Sequence, residues 1–141
     1  MKKINQSIEF CFNIAKFQTE LSRRLDAKLN GLGFSEFIIL YHLSQSEGQK
    51  MRRIDLAEKI GLTASGITRL LLPMEKIGLI KKEANEHDAR VSFVVLASGG
   101  KTKLEEGLER MEIFCEEIIP DNKIKKIEEL SGLLNELGKN I

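Results

Sequence analysis

Gly61 is the residue that most narrows what this chain can fold into. Before it, Met51 to Ile60 sets Ile54, Leu56, Ala57 and Ile60 at helical spacing, with Arg52, Arg53, Glu58 and Lys59 outward. A glycine just past a short helix supplies the left-handed residue that ends it. Two positions on, Thr63 is placed to cap a second helix, Thr63-Ala64-Ser65-Gly66-Ile67-Thr68-Arg69-Leu70-Leu71-Leu72, its hydroxyl over the first unpaired amides. Ile67, Leu70 and Leu71 would pin one face to a core and leave Ser65, Gly66, Thr68 and Arg69 on the other. Gly66 costs the helix roughly 1 kcal/mol relative to alanine. A backbone that must come close to phosphates or base edges gives it a reason. Two short helices joined by a glycine turn make a helix-turn-helix.

The flanks extend this unit. Pro73 removes a backbone donor, which predicts a kink after Leu72 before the helix continues through Met74–Ile77 to Gly78. Leu79–Ala84 and Val91–Leu96 are β-prone, and the polar link Asn85–Arg90 joins them as a hairpin, the wing of a winged helix. Ahead of the unit, Ile4 to Leu29 reads as one long helix with two apolar stripes: Ile4, Ile8, Cys11 and Ala15, then Phe10, Ile14, Phe17, Leu21 and Leu25. Two stripes require two partners. Gly31-Leu32-Gly33 breaks that helix. The next spans Ser35 to Ser44, with Ser35 as cap and Phe37, Ile38, Leu40, Tyr41 and Leu43 inward, and Ser46–Gln49 is a loop. After Ser98-Gly99-Gly100, Leu104, Leu108, Met111, Cys115 and Ile118 mark a helix that Pro120 ends. Asp121 or Asn122 would cap a last helix carrying Ile124, Ile127, Leu130, Leu134 and Leu137.

Bulk properties exclude several classes. At 141 residues the chain suits one compact domain. No run of about 18 apolar residues occurs, so no membrane span is expected. The start, Met1-Lys2-Lys3, leads into a segment carrying Glu9 and Lys16, unlike a signal peptide. Cys11 and Cys115 form no metal motif, and a cytoplasmic location is expected. Net charge is +1, but Lys50–Arg90 holds nine basic and six acidic residues while Ser98–Ile141 holds seven and ten. The positive field therefore centres on the helix-turn-helix. Two histidines in separate segments, no glycine-rich phosphate loop and no metal-ligand cluster argue against an enzyme, a metal or a cofactor.

The chain resembles the MarR family of bacterial transcriptional regulators over nearly its whole length. Carrying the likeness are Ile54-Asp55-Leu56-Ala57-Glu58-Lys59-Ile60-Gly61-Leu62, Thr63 to Leu71, Met74-Glu75-Lys76-Ile77-Gly78-Leu79-Ile80, and the wing's Asp88-Ala89-Arg90 followed by Val95-Leu96. The resemblance implies a mainly α fold with a small β-hairpin wing. A winged helix-turn-helix lobe at about 35-97 would lie between dimerisation helices at about 4-30 and 100-139, in a single domain over 1-141. It implies a homodimer that binds inverted-repeat double-stranded DNA, as a repressor released by a small-molecule effector. Ala89 stands where many members carry a second basic residue, which weakens the wing tip's hold.

Roles follow residue by residue. Arg69 and Thr68 are the candidate base-edge contacts, since arginine to guanine is the commonest specific pairing. Ser65 and Thr63 suit a phosphate or a base, Gly66 a close backbone approach, and Arg52 and Arg53 phosphates. Lys81 and Lys82 alternate along a strand, so only one faces DNA, and Lys82 is the candidate. Arg90 resembles the family's wing arginine, which reaches the minor groove, and Asp88 would hold the hairpin's shape. Tyr41 and His42 lie where the family often holds a small-molecule pocket; a buried structural histidine is the competing reading. One branch of the family senses organic hydroperoxides through a cysteine placed like Cys11, and Cys115 would be its resolving partner from the other subunit. Against this, both cysteines sit on apolar stripes, and that branch surrounds the sulfur with tyrosines whereas Tyr41 is the only tyrosine here. A winged-helix protein-interaction module without DNA binding is the other alternative.

Overall fold

The computed structural model describes residues 1–88 and 90–141; the expectation for Ala89 lies outside them. The chain divides into two compact units, Met1–Leu108 and Glu109–Ile141. The elements are α1 (Gln6–Lys28), α2 (Phe34–Gln45), β1 (Lys50–Arg52), α3 (Arg53–Ile60), α4 (Ala64–Lys76), β2 (Ile80–Ala84), β3 (Ser92–Leu96), α5 (Ser98–Ile118) and α6 (Ile124–Gly138). This is a winged helix-turn-helix between long helices, as the patterning predicts. No described helix is long and apolar enough to cross a membrane.

In the first unit α2 is the hub, packing against α1, α3, α4 and the sheet. Its Phe37, Ile39, Leu40 and Leu43 are buried, with Leu56 of α3 and Ile67, Leu71 and Met74 of α4. Each such side chain contributes roughly 1.5–3 kcal/mol by leaving water. The inward set on α2 is rotated from the predicted one: Ile39 is buried, Ile38 half-buried and Tyr41 exposed. The helix also starts at Phe34, not Ser35. Asp26 of α1 supplies the cap, its Oδ1 accepting from the Phe34 N–H at 2.8 Å. Likewise α1 begins at Gln6, because Asn5 caps it through the Ile8 N–H.

Met51 and Arg52, expected to begin the helix, instead form with Lys50 a third strand, β1. β3 is central, pairing antiparallel with β1 (Lys50↔Val95) on one side and with β2 (Ile80↔Leu96) on the other. A turn at Glu47–Gln49, with Gly48 at φ 69°, aims the chain into β1. Starting α3 at Arg53 leaves Ile54 65% exposed, where periodicity places it in the core. Pro73 does not break α4, which runs unbroken to Lys76. The helix ends at Gly78 (φ 81°), with the Leu79 N–H bonded to the Met74 carbonyl. Gly100 lets α5 pass close to the sheet: a Cβ there would run into the Leu79 carbonyl oxygen and crowd Leu96 and Leu40.

Of the two stripes on α1, the first is exposed throughout, whereas the second passes from half-buried Phe10 and Ile14 through exposed Phe17 to buried Leu25. In the second unit α6 begins after a short turn, Asp121–Lys123, without the side-chain cap expected from Asp121 or Asn122. Its Ile124, Ile127, Leu130, Leu134 and Leu137 are all exposed.

Candidate nucleic-acid interface

The helix-turn-helix is built from local rules. Gly61 takes φ 76° to end α3, and the Leu62 N–H closes the turn on the Ala57 carbonyl. Thr63 then caps α4, its Oγ1 accepting from the Gly66 N–H at 3.0 Å. Ser65 Oγ lies 3.3 Å from the same hydroxyl. A Cβ on residue 66 would stand 3.1 Å from Thr63 Oγ1, so the glycine also clears the cap.

Arg69 projects from the face of α4 opposite its buried residues, exposed and with no hydrogen bond or ion pair among the described residues. Thr68 lies differently from its expected exposed position. It is half-buried, its hydroxyl donating to the Ala64 carbonyl at 2.9 Å and accepting from Arg53 Nη1 at 3.1 Å.

Four further cations border a 330 Å³ cleft between α3, α4 and the hairpin: Arg52, Arg53, Lys82 and Arg90. Buried Ile67, Leu71 and Val94 form its floor. Three of the four are steered by acids. Arg52 makes two bonds to Asp55, at 2.8 and 3.1 Å, and these hold the Asp55 carboxyl below the usual range. Lys82 reaches Glu75 of α4 at 3.8 Å. Arg90 Nε donates to Asp88 Oδ1 at 3.2 Å, while the same oxygen accepts from the Arg90 N–H. Exposed pairs of this kind are worth roughly 0–1 kcal/mol. They orient the cations without preventing transfer to a phosphate. Reading along the sequence named Asp88 but missed the other two acids: the three-residue Arg52–Asp55 spacing was there to see, whereas Glu75 meets Lys82 only through tertiary packing.

The other candidates lie elsewhere. His42 is half-buried, its ring in edge contact with that of Tyr41 at 5.5 Å. Burial first, and the charge of Lys59 second, lower its pKa. Cys11 is exposed, and Cys115 is half-buried with its thiol pushed up by desolvation. Among the described residues no group of His, Cys, Asp and Glu is arranged to hold a metal.

Comparison with known proteins agrees with this architecture. Residues 34–92 match the model of the MarR family. Over 140 residues the chain is 22% identical to an uncharacterised HTH-type transcriptional regulator of Bacillus subtilis (strain 168), YdgJ, covering 99% of this chain and 73% of that protein. The transcriptional regulator BldR from Sulfolobus solfataricus superposes with a TM-score of 0.80 at 23% identity over 100% of both chains. Sco3205, a MarR family transcriptional regulator from Streptomyces coelicolor solved in complex with DNA, superposes with a TM-score of 0.76 at 19% identity, over 96% of this chain and 91% of that one.

Proposed function

From the match of residues 34–92 to the MarR family model, we propose that two copies of the chain form a cytoplasmic regulator that binds inverted-repeat duplex DNA. The whole of 1–141 acts as one functional domain, a repressor released by a small-molecule effector rather than a catalyst. The carrying observation is Arg69, a guanidinium on the outward face of α4 with no partner among the described residues, with Arg52, Arg53, Lys82 and Arg90 bordering the cleft beside that helix. Arg69 reads a base edge, the cleft cations and Ser65 hold phosphates, and Arg90 carries the wing into the adjacent minor groove. Thr63 and Gly66 set the close approach of the helix start, Thr68 fixes Arg53, and Asp88 shapes the wing.

Fluorescence anisotropy against duplexes selected from a random pool tests this. Arg69→Ala should cost ~1–3 kcal/mol and relax preference at one base pair. Binding equal to wild type would move the DNA face elsewhere. Tyr41 and His42 are the candidate effector contacts. Desolvation raises Cys115, which disfavours the thiolate a peroxide-resolving cysteine needs, so the thiol-sensing reading involving Cys11 takes second place.

A further inference from the structure

The outermost line of α4 runs Ser65, Arg69, Leu72, Lys76, at steps of four, three and four residues, which keep to one helical face. All four residues are exposed, and Leu72 is 50% exposed. A single exposed leucine needs no explanation by itself. This one stands between two cations on the line farthest from the buried Ile67, Leu71 and Met74. If Arg69 enters a groove, Leu72 enters with it.

We propose that Leu72 is a specificity-determining residue that packs against the 5-methyl group of a thymine in the major groove. The inference rests on the reading of α4 as the groove-facing helix. Thymine's methyl is the one apolar group that base pairs present in that groove. Along the helix axis Leu72 lies about 4.5 Å beyond Arg69, close to the rise of about 3.4 Å between successive bases on a strand. The thymine therefore lies one or two base pairs from the pair that Arg69 reads. Lys76, one turn further, holds the phosphate that fixes this register. Each half-site would carry the pattern once.

The probe is the duplex that the full-length protein selects from a random-sequence pool. Thymines are replaced one at a time by deoxyuridine, which deletes only the methyl. Wild type should lose about fourfold in affinity at one thymine per half-site, the equivalent of one buried methyl group. Leu72→Ala, with thermal unfolding confirming its fold, should bind both duplexes alike. Arg69→Ala separates the two levels of the inference. If Arg69→Ala binds weakly but wild type ignores every methyl, or Leu72→Ala keeps the methyl dependence, the Leu72 assignment is overturned while the groove-facing reading stands. If Arg69→Ala binds like wild type, or no duplex is selected, both fall.

Discussion

Gly66 shows how a residue acquires two reasons. Its spacing suggests an approach to DNA, yet the nearer constraint is the Thr63 hydroxyl, 3.1 Å from where a Cβ would stand. The Thr63 cap was readable because it depends on a neighbour three residues away. The role of Thr68 was not, because its hydroxyl bonds Arg53 fifteen positions away. Thr63→Ala should therefore cost about 1 kcal/mol of stability, seen as a lower urea midpoint with an unchanged slope. Gly100→Ala should cost more, about 1–3 kcal/mol, since its methyl would have to displace the Leu79 carbonyl as well as two core leucines. His42 sets a pH dependence. Its folded pKa lies below the ordinary value, so the unfolded chain takes up the proton more readily. Stability present above about pH 6.5 should fall as pH drops through the lowered folded value. Urea midpoints at pH 8 and pH 5 should show this fall, and His42→Gln should shrink it.

At the scale of elements, long patterns survived and short ones did not. The helices and the hairpin repeat their apolar signal over many residues. β1 is Lys50-Met51-Arg52, with no β-branched side chain, and becomes a strand only because β3 offers an open edge. Ile54 was misplaced for the same reason: once Arg53 starts α3, the helix turns it outward. Pro73 lies inside α4, and the helix continues past it to the Gly78 turn, as the sequence reading expects. Pro73→Ala restores a donor to α4 and should raise stability by up to about 3 kcal/mol, measured by denaturant unfolding. On the hairpin, Arg90→Ala should weaken binding to all sequences alike and reduce the slope of log affinity against log salt.

For the whole molecule, the exposed apolar residues of α1 and α6 are the measure of what one chain leaves uncovered. Ile8 and Phe12 on α1, and Leu130 and Leu134 on α6, each remain more than a third exposed. In the proposed homodimer a second copy covers them, and sedimentation at micromolar concentration should show twice the single-chain mass. Leu130→Glu with Leu134→Glu should give a monomer with weakened DNA binding; an unchanged dimer would place the interface elsewhere. Inverted half-sites should then lie about 10 bp or somewhat more apart. The sheet order bears on how such a chain is made. Lys50 pairs with Val95, and β3 is shared by both outer strands. At the ribosome's pace of roughly 5–20 residues per second, β1 waits about 2–9 s for its partner to be synthesised. During that interval the residues that launch α3 lack their strand, so a nascent chain halted before Ser92 should be cut by protease around Lys50–Arg53, and one extended past Leu96 should resist.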